Sequence, residues 1–246
     1  MNTALQRACG WIGVLLPVIV VAITEPVSLD QCAGEFHFGD GLGKNCSLTI
    51  KPTGTFSFQW RGCLGVYDYN SGSAVIENGV LRVIPTKPNK PNEQGLGSTP
   101  TEFFSIRWGG RLYLVATNDI TEFCSDVNLG SEPRDLPLGH YYLRGQDWKK
   151  EVKDPPELPA AWRGYLLTNR VEGRVTQLID PQQAWINVGS NSGLRPGMIL
   201  IARGYDLSGF VQVRVQEVEK ARCRIKCQWP DGKLELRHKV SSRFRD

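Results

Sequence analysis

The stretch "INVGSNSGLRPGMIL", Ile186 to Leu200, decides how the chain is read. It sets a polar run containing Gly189, Gly193 and Gly197 between two apolar runs. Such a loop can grip a phosphate or simply turn the chain. The order is a strand ("AWINVG"), a small-residue corner and a strongly apolar strand ("MILIA"). Glycines permit positive φ, and Pro196 fits the first central position of a turn before Gly197. The stretch is a corner, and β-structure is expected on both sides of it.

Outward from the corner, alternation dominates. Val211, Val213 and Val215 alternate with polar residues, as do Ala221, Cys223, Ile225 and Cys227 with Arg222, Arg224, Lys226 and Gln228. Extended residues four apart have Cα atoms about 13 Å apart, beyond the roughly 7 Å limit of a disulfide. Cys223 and Cys227 are therefore expected as separate buried thiols. Toward the N-terminus, "SLTI", "GTFSFQW", "GVLRVIP", "FFSIRW" and "RLYLVA" read as short strands. Turn signals separate them: "KPTG" (51–54), "NSGS" (70–73), "ENG" (77–79) and "WGG" (108–110). The fold class is all-β, with two small β-barrel or sandwich domains after an N-terminal signal segment.

Charge and composition divide the chain. Glu25 to Trp148 carries 10 basic and 14 acidic residues, and Gly164 to Asp246 carries 14 basic and 8 acidic. Between them "KKEVKDPPELPAAW" holds three prolines and reads as a stiff, solvated linker. The expected organisation is a signal peptide or anchor over 1–22, a β-domain over 27–148, a linker over 149–163 and a small basic barrel over 164–246. The proline-rich run Pro85 to Pro100 reads as a long exposed insertion.

Residues 1–22 have the pattern of an export signal. "WIGVLLPVIVVAI" (Trp11 to Ile23) is an apolar core of 13 residues, short of the roughly 20 that span a bilayer, with cleavage expected after Ala22. A periplasmic or secreted location follows, with anchoring through this segment as the variant. Removing Cys9 with the signal leaves six cysteines, and export favours disulfides. The candidates are Cys32, Cys46, Cys63 and Cys124, in pairings that sequence does not choose.

The motifs that bear chemistry are incomplete. "GDGLGKNCS" (Gly39 to Ser47) imitates a phosphate loop, but Phe38 stands in the first glycine's place and Asn45 in the hydroxyl's. Glu35, His37 and Asp40 lie close in sequence and could form an acid–base pair or metal seed, with His140 as a further participant in a hydrolase reading. Cys124 with His140 is the one conceivable nucleophile pair. No nucleophile elbow or zinc-protease motif occurs, so no catalytic residues, metal or cofactor are assigned. A carrier reading would place a small apolar ligand against Phe56, Phe58, Trp60, Phe104 or Trp108. The basic segments "KARCRIK" and "KLELRHKVSSRFRD" suit an anionic surface or an envelope protein. Nucleic acid is disfavoured, since only Trp229 and Phe244 could stack on bases.

From Gly164 to Gln228 the chain resembles small β-barrel domains of bacterial envelope proteins, of the type found in the periplasmic part of the rod-shape protein MreC and at the C-terminus of the flagellar protein FlgT. The carriers of that likeness are "GRVTQLID", the opening stretch and "GFVQVRVQEVEKARCRIKC". It implies an assembly or contact module. No coiled coil precedes the barrel, so a rod-shape role is not implied. The acidic half, through "GEFHFGDGLGKNCSLTI" and "GTFSFQW", is similar to lipocalin-like barrels. The function expected is that of a non-catalytic envelope protein acting as a binding or assembly module. Its alternatives are a carrier of a small apolar ligand and a hydrolase with its site in the N-terminal domain.

Overall fold

The computed structural model describes residues 27–39, 45–87, 100–131, 141–204 and 209–243. The export segment, Asp40, His140, Phe244, residues 41–44 of the phosphate-loop mimic and most of the proline-rich insertion lie outside them. Two closed antiparallel barrels are present. The first is an eight-strand meander: β1 (Gly34–Gly39), β2 (Asn45–Ile50), β3 (Thr55–Gly62), β4 (Gly65–Glu77), β5 (Val80–Pro85), β6 (Glu102–Trp108), β7 (Arg111–Ala116) and β8 (Tyr141–Arg144). β8 closes on β1 by pairing Arg144 with Phe36 and Leu143 with His37. The second comprises β9 (Glu172–Asp180), β10 (Gln183–Ile186), β11 (Ile199–Arg203), β12 (Phe210–Val218), β13 (Cys223–Cys227) and β14 (Lys239–Ser241), in the order β10-β13-β12-β11-β14-β9.

Alternation builds both interiors. On β3, Phe56, Phe58 and Trp60 point inward to join Phe36, Leu48, Phe103 and Tyr142 in the core of the first barrel. Cys223 and Cys227 lie inward on β13 among Val213, Val215 and Ile225. The opening stretch is a corner, and its glycines differ in purpose. Gly193 and Gly197 have φ of 85° and 89°, whereas Gly189 has φ of −147°. A Cβ at Gly189 would lie 2.2 Å from the Glu219 carbonyl oxygen, so its need is close approach rather than positive φ.

The structure corrects three expectations. "NSGS" is no turn, because β4 runs through it for 13 residues. Gly72 lets β4 pass so close to β5 that a Cβ there would lie 2.0 Å from the Ile84 carbonyl oxygen and 3.0 Å from the Phe56 ring. The disulfides are not formed: Cys32, Cys46, Cys63 and Cys124 are all unbridged. Cys46 pairs with Phe38, whereas Cys32 precedes β1 at the other end, more than about 13 Å along the strand direction. Cys124 is buried outside the barrel wall and Cys63 is exposed at the β3–β4 hairpin tip. The linker is the third case. Gly110 N–H donates to the Glu151 carbonyl (3.2 Å), Trp108 Nε1 to the Asp154 carbonyl (2.7 Å) and Glu157 N–H to the Arg107 carbonyl (2.7 Å). This segment is a strap laid along β6 and β7, and it pairs the edge of β6 that outruns β5.

A helix was also missing from the sequence reading. α1 (Leu29–Cys32) is a single turn closing one end of the first barrel, but α2 (Ile120–Leu129) joins the two barrels. Its Phe123 is buried against Trp108, Tyr113 and Tyr141, with ring centroids 6.2, 5.9 and 5.4 Å away. Burial of a phenylalanine contributes about 2–3 kcal/mol. The other face meets the second barrel. Ser125 Oγ accepts from Ile199 N–H (3.0 Å) and donates to the Thr121 carbonyl (2.7 Å). Glu122 pairs with Arg214 at 2.6 Å. Asn128 donates to the Tyr165 carbonyl and accepts from Leu167 N–H, both at 2.9 Å.

Asp126 lies on the same helix and accepts from the Tyr141 hydroxyl at 3.0 Å. Burial pushes its carboxyl up to about 7; the Tyr141 hydrogen bond opposes this and the charge of Glu122 adds to it. The folded chain thus holds this proton more tightly than the unfolded chain. The stabilisation is full below the ordinary aspartate value of 3.8 and is lost as pH rises through about 7. Asp126→Asn, whose amide oxygen still accepts from Tyr141, should remove that dependence. Thermal melts from pH 4 to 8 are expected to lose a few kcal/mol of stability in the wild type, on the order set by such a shift, and to be flat at this site in the variant. Gly72→Ala should cost about 3 kcal/mol by forcing β4 away from Ile84, measured by urea unfolding.

Candidate functional site: a cationic row on the second barrel

The register of β9, β14 and β11 brings together residues far apart in sequence. Lys239 on β14 lies opposite Arg174 on β9 and also opposite Arg203 on β11. Val240 and Ala202 point into the core, so Arg174, Lys239 and Arg203 point outward as one row of three cations. Neighbouring strands are about 4.8 Å apart, so the row spans about 10 Å. Arg203 is in turn opposite Phe210, whose ring is half exposed at the row's end.

Three further arginines frame a cleft of about 630 Å³ over this row: Arg170, Arg237 and Arg243. Arg170 is committed, with its Nε 2.7 Å from Glu172 and 3.3 Å from Ser241 Oγ. Among the described residues, no carboxylate pairs with Arg174, Lys239, Arg237 or Arg243. Arg237 adopts φ of 70°, a left-handed conformation that non-glycine residues rarely take. Its N–H donates to the Val175 carbonyl at 2.9 Å, and the Val175 N–H donates to the His238 carbonyl at 3.0 Å. Like charges opposite one another in a sheet are destabilising. The strand pairing here concentrates them, and among the described residues Glu172 is the only acid lining the cleft.

The two basic segments read from sequence separate in space. Arg237, Lys239 and Arg243 of the tail join the row. In "KARCRIK", Arg222 is bound to Glu219 by two 2.8 Å hydrogen bonds and lies 4.3 Å over the Trp185 ring, and Arg224 sits 3.5 Å from Glu217. Two of that segment's four cations are thus neutralised. Arg174 and Arg203 were missed, because only register reveals that Lys239 lies between them.

The remaining candidates fall in several places. Phe56, Phe58 and Trp60 sit together in the core of the first barrel, whereas Phe104 and Trp108 face the opposite side of the wall, toward α2. Glu35 and His37 share the exposed face of β1, 3.5 Å apart; Asp40 and His140 are outside the described residues. Burial pushes the Cys124 thiol up to about 12, the reverse of what a thiolate nucleophile needs. Among the described residues no group of three or more His, Cys, Asp or Glu could hold a metal. The chain matches no protein-family model, no curated protein and no solved structure.

Because the row is held against its own repulsion, Lys239→Gln should stabilise the chain by about 0.5 kcal/mol at low salt. The gain should vanish at about 1 M salt, where the Debye length falls to about 3 Å; paired thermal melts at both ionic strengths measure it.

Proposed function

We propose that this chain is a non-catalytic binding module of the bacterial envelope, whose second barrel holds an anionic surface rich in phosphate or carboxylate groups. The observation that carries this reading is the row Arg174–Lys239–Arg203, which three strands place in register without a neutralising carboxylate at Arg174 or Lys239. Its support is physical. Fixed cations closely spaced on a rigid sheet are pre-organised for an anionic array and lose little side-chain freedom on binding. The first barrel then acts as the body that orients this face, since α2 ties the two units together through Ser125, Glu122 and Asn128.

An envelope location is supported by the apolar N-terminal pattern and by the resemblance of Gly164 to Gln228 to envelope barrels. The test uses the full chain lacking residues 1–22. Its co-sedimentation is compared on vesicles of phosphatidylcholine alone and on vesicles with about one-third phosphatidylglycerol, with soluble polyphosphate as competitor. Binding is expected only to the anionic vesicles. It should fall at least tenfold in Arg174→Glu/Lys239→Glu and weaken between 0.1 M and 1 M salt as the Debye length shrinks from about 10 to about 3 Å. Equal binding by the charge-reversed variant, or binding indifferent to salt, would overturn the proposal.

A further inference from the structure

A second site lies on the first barrel and shares no residue with the cationic row. β5 begins at Val80, opposite Phe104, whereas β6 runs on to Trp108, so the edge of β6 from Ser105 onward has no β5 partner. The strap takes the vacant edge only at Glu157, which pairs with Arg107. Between Gly79 and the strap this leaves a window into the barrel's end, forming a cleft of about 1000 Å³. That is the upper end of the range for small-molecule sites.

The chemistry of the walls is amphipathic. Leu112 from the barrel interior and Leu158 and Leu166 beyond the strap supply apolar surface. Ser105 and Gln31 add a hydroxyl and an amide. Two guanidinium groups line the cleft, Arg107 on β6 and Arg163 in the 3₁₀ turn Ala160–Tyr165. Arg163 Nε donates to the Leu158 carbonyl at 3.3 Å, which fixes its stem and leaves its terminal nitrogens for another partner. Among the described residues, Glu157 is the single carboxylate on the wall, and it forms no ion pair with either arginine. The described lining therefore carries an excess of one positive charge beside leucine and proline surface.

We infer that this window binds one amphipathic carboxylate, an unbranched aliphatic acid whose headgroup meets Arg107 and Arg163 and whose chain lies against Leu112, Leu158 and Leu166. Guanidinium groups suit this headgroup because they donate in a planar fork that matches a carboxylate. This site lies at the end window and does not include Phe58 or Trp60 of the aromatic cluster.

Isothermal titration of the full chain lacking residues 1–22 with monomeric decanoate tests this, with decan-1-ol and acetate as the tail-only and charge-only probes. Saturable one-to-one binding of decanoate is expected, with decan-1-ol and acetate each at least tenfold weaker. Arg107→Gln/Arg163→Gln should weaken decanoate at least tenfold and leave decan-1-ol unchanged; both side chains are at the surface, and an unaltered melting temperature checks the fold. Leu158→Trp, which fills the cleft, should abolish binding of both. No saturable heat with decanoate, equal affinity in the arginine variant, or acetate binding as tightly as decanoate would each overturn the assignment.

Discussion

Everything in this molecule hangs on the two-sided contact of α2. One face drives Phe123 into an aromatic nest on the outside of the first barrel; the other offers Ser125, Glu122 and Asn128 to the second. A barrel has no free sheet edge to pair with a neighbour, so two barrels need some other element to fix their relation. A helix inserted between β7 and β8 supplies it, because its apolar stripe and polar stripe point in different directions. The corner that opened the reading is part of the same joint. Gly197 packs beside Thr121 in a left-handed conformation, and Ile199 N–H finds its acceptor on Ser125.

The cationic row shows how a sheet can hold an arrangement that its surface charges resist. Lys239 belongs to a strand of only three residues, yet that strand is fastened on both sides, to β9 and β11. Core residues Val240 and Ala202 fix the register from beneath, so repulsion above cannot slide it. Mobile lysines on a loop would separate; here the backbone ladder and the buried side chains keep the cations adjacent.

How much of this was legible depends on the range of the interaction. The inward faces of β3 and β13 were readable because a period of two is a local property of the chain. α2 also left a trace: Ile120, Phe123, Cys124 and Val127 fall at helical spacing and Gly130 follows as a left-handed cap. Reading "TEFCSD" only for a nucleophile concealed that period. Gly72 deceived for the opposite reason, since a glycine that admits a neighbouring backbone looks in sequence like one that turns its own. The pairing of Arg174, Lys239 and Arg203 spans residues 174 to 239 and has no local signature. The unbridged cysteines carry the same lesson: an even cysteine count says nothing of which ends of a barrel those residues occupy.

The strap from Lys150 to Glu157 changes what counts as a module. Composition places a border after Trp148, but the hydrogen bonds place those residues within the first barrel. A fragment cut at that border would lose the acceptor of the Trp108 indole and the partner of the Arg107 carbonyl, exposing an unpaired strand edge of the kind that recruits other chains. Gene fusion or duplication could therefore carry this barrel to a new setting only with its proline-rich tail attached. The prolines themselves suit that duty, since a segment lacking several N–H groups can cover an edge without becoming a new one.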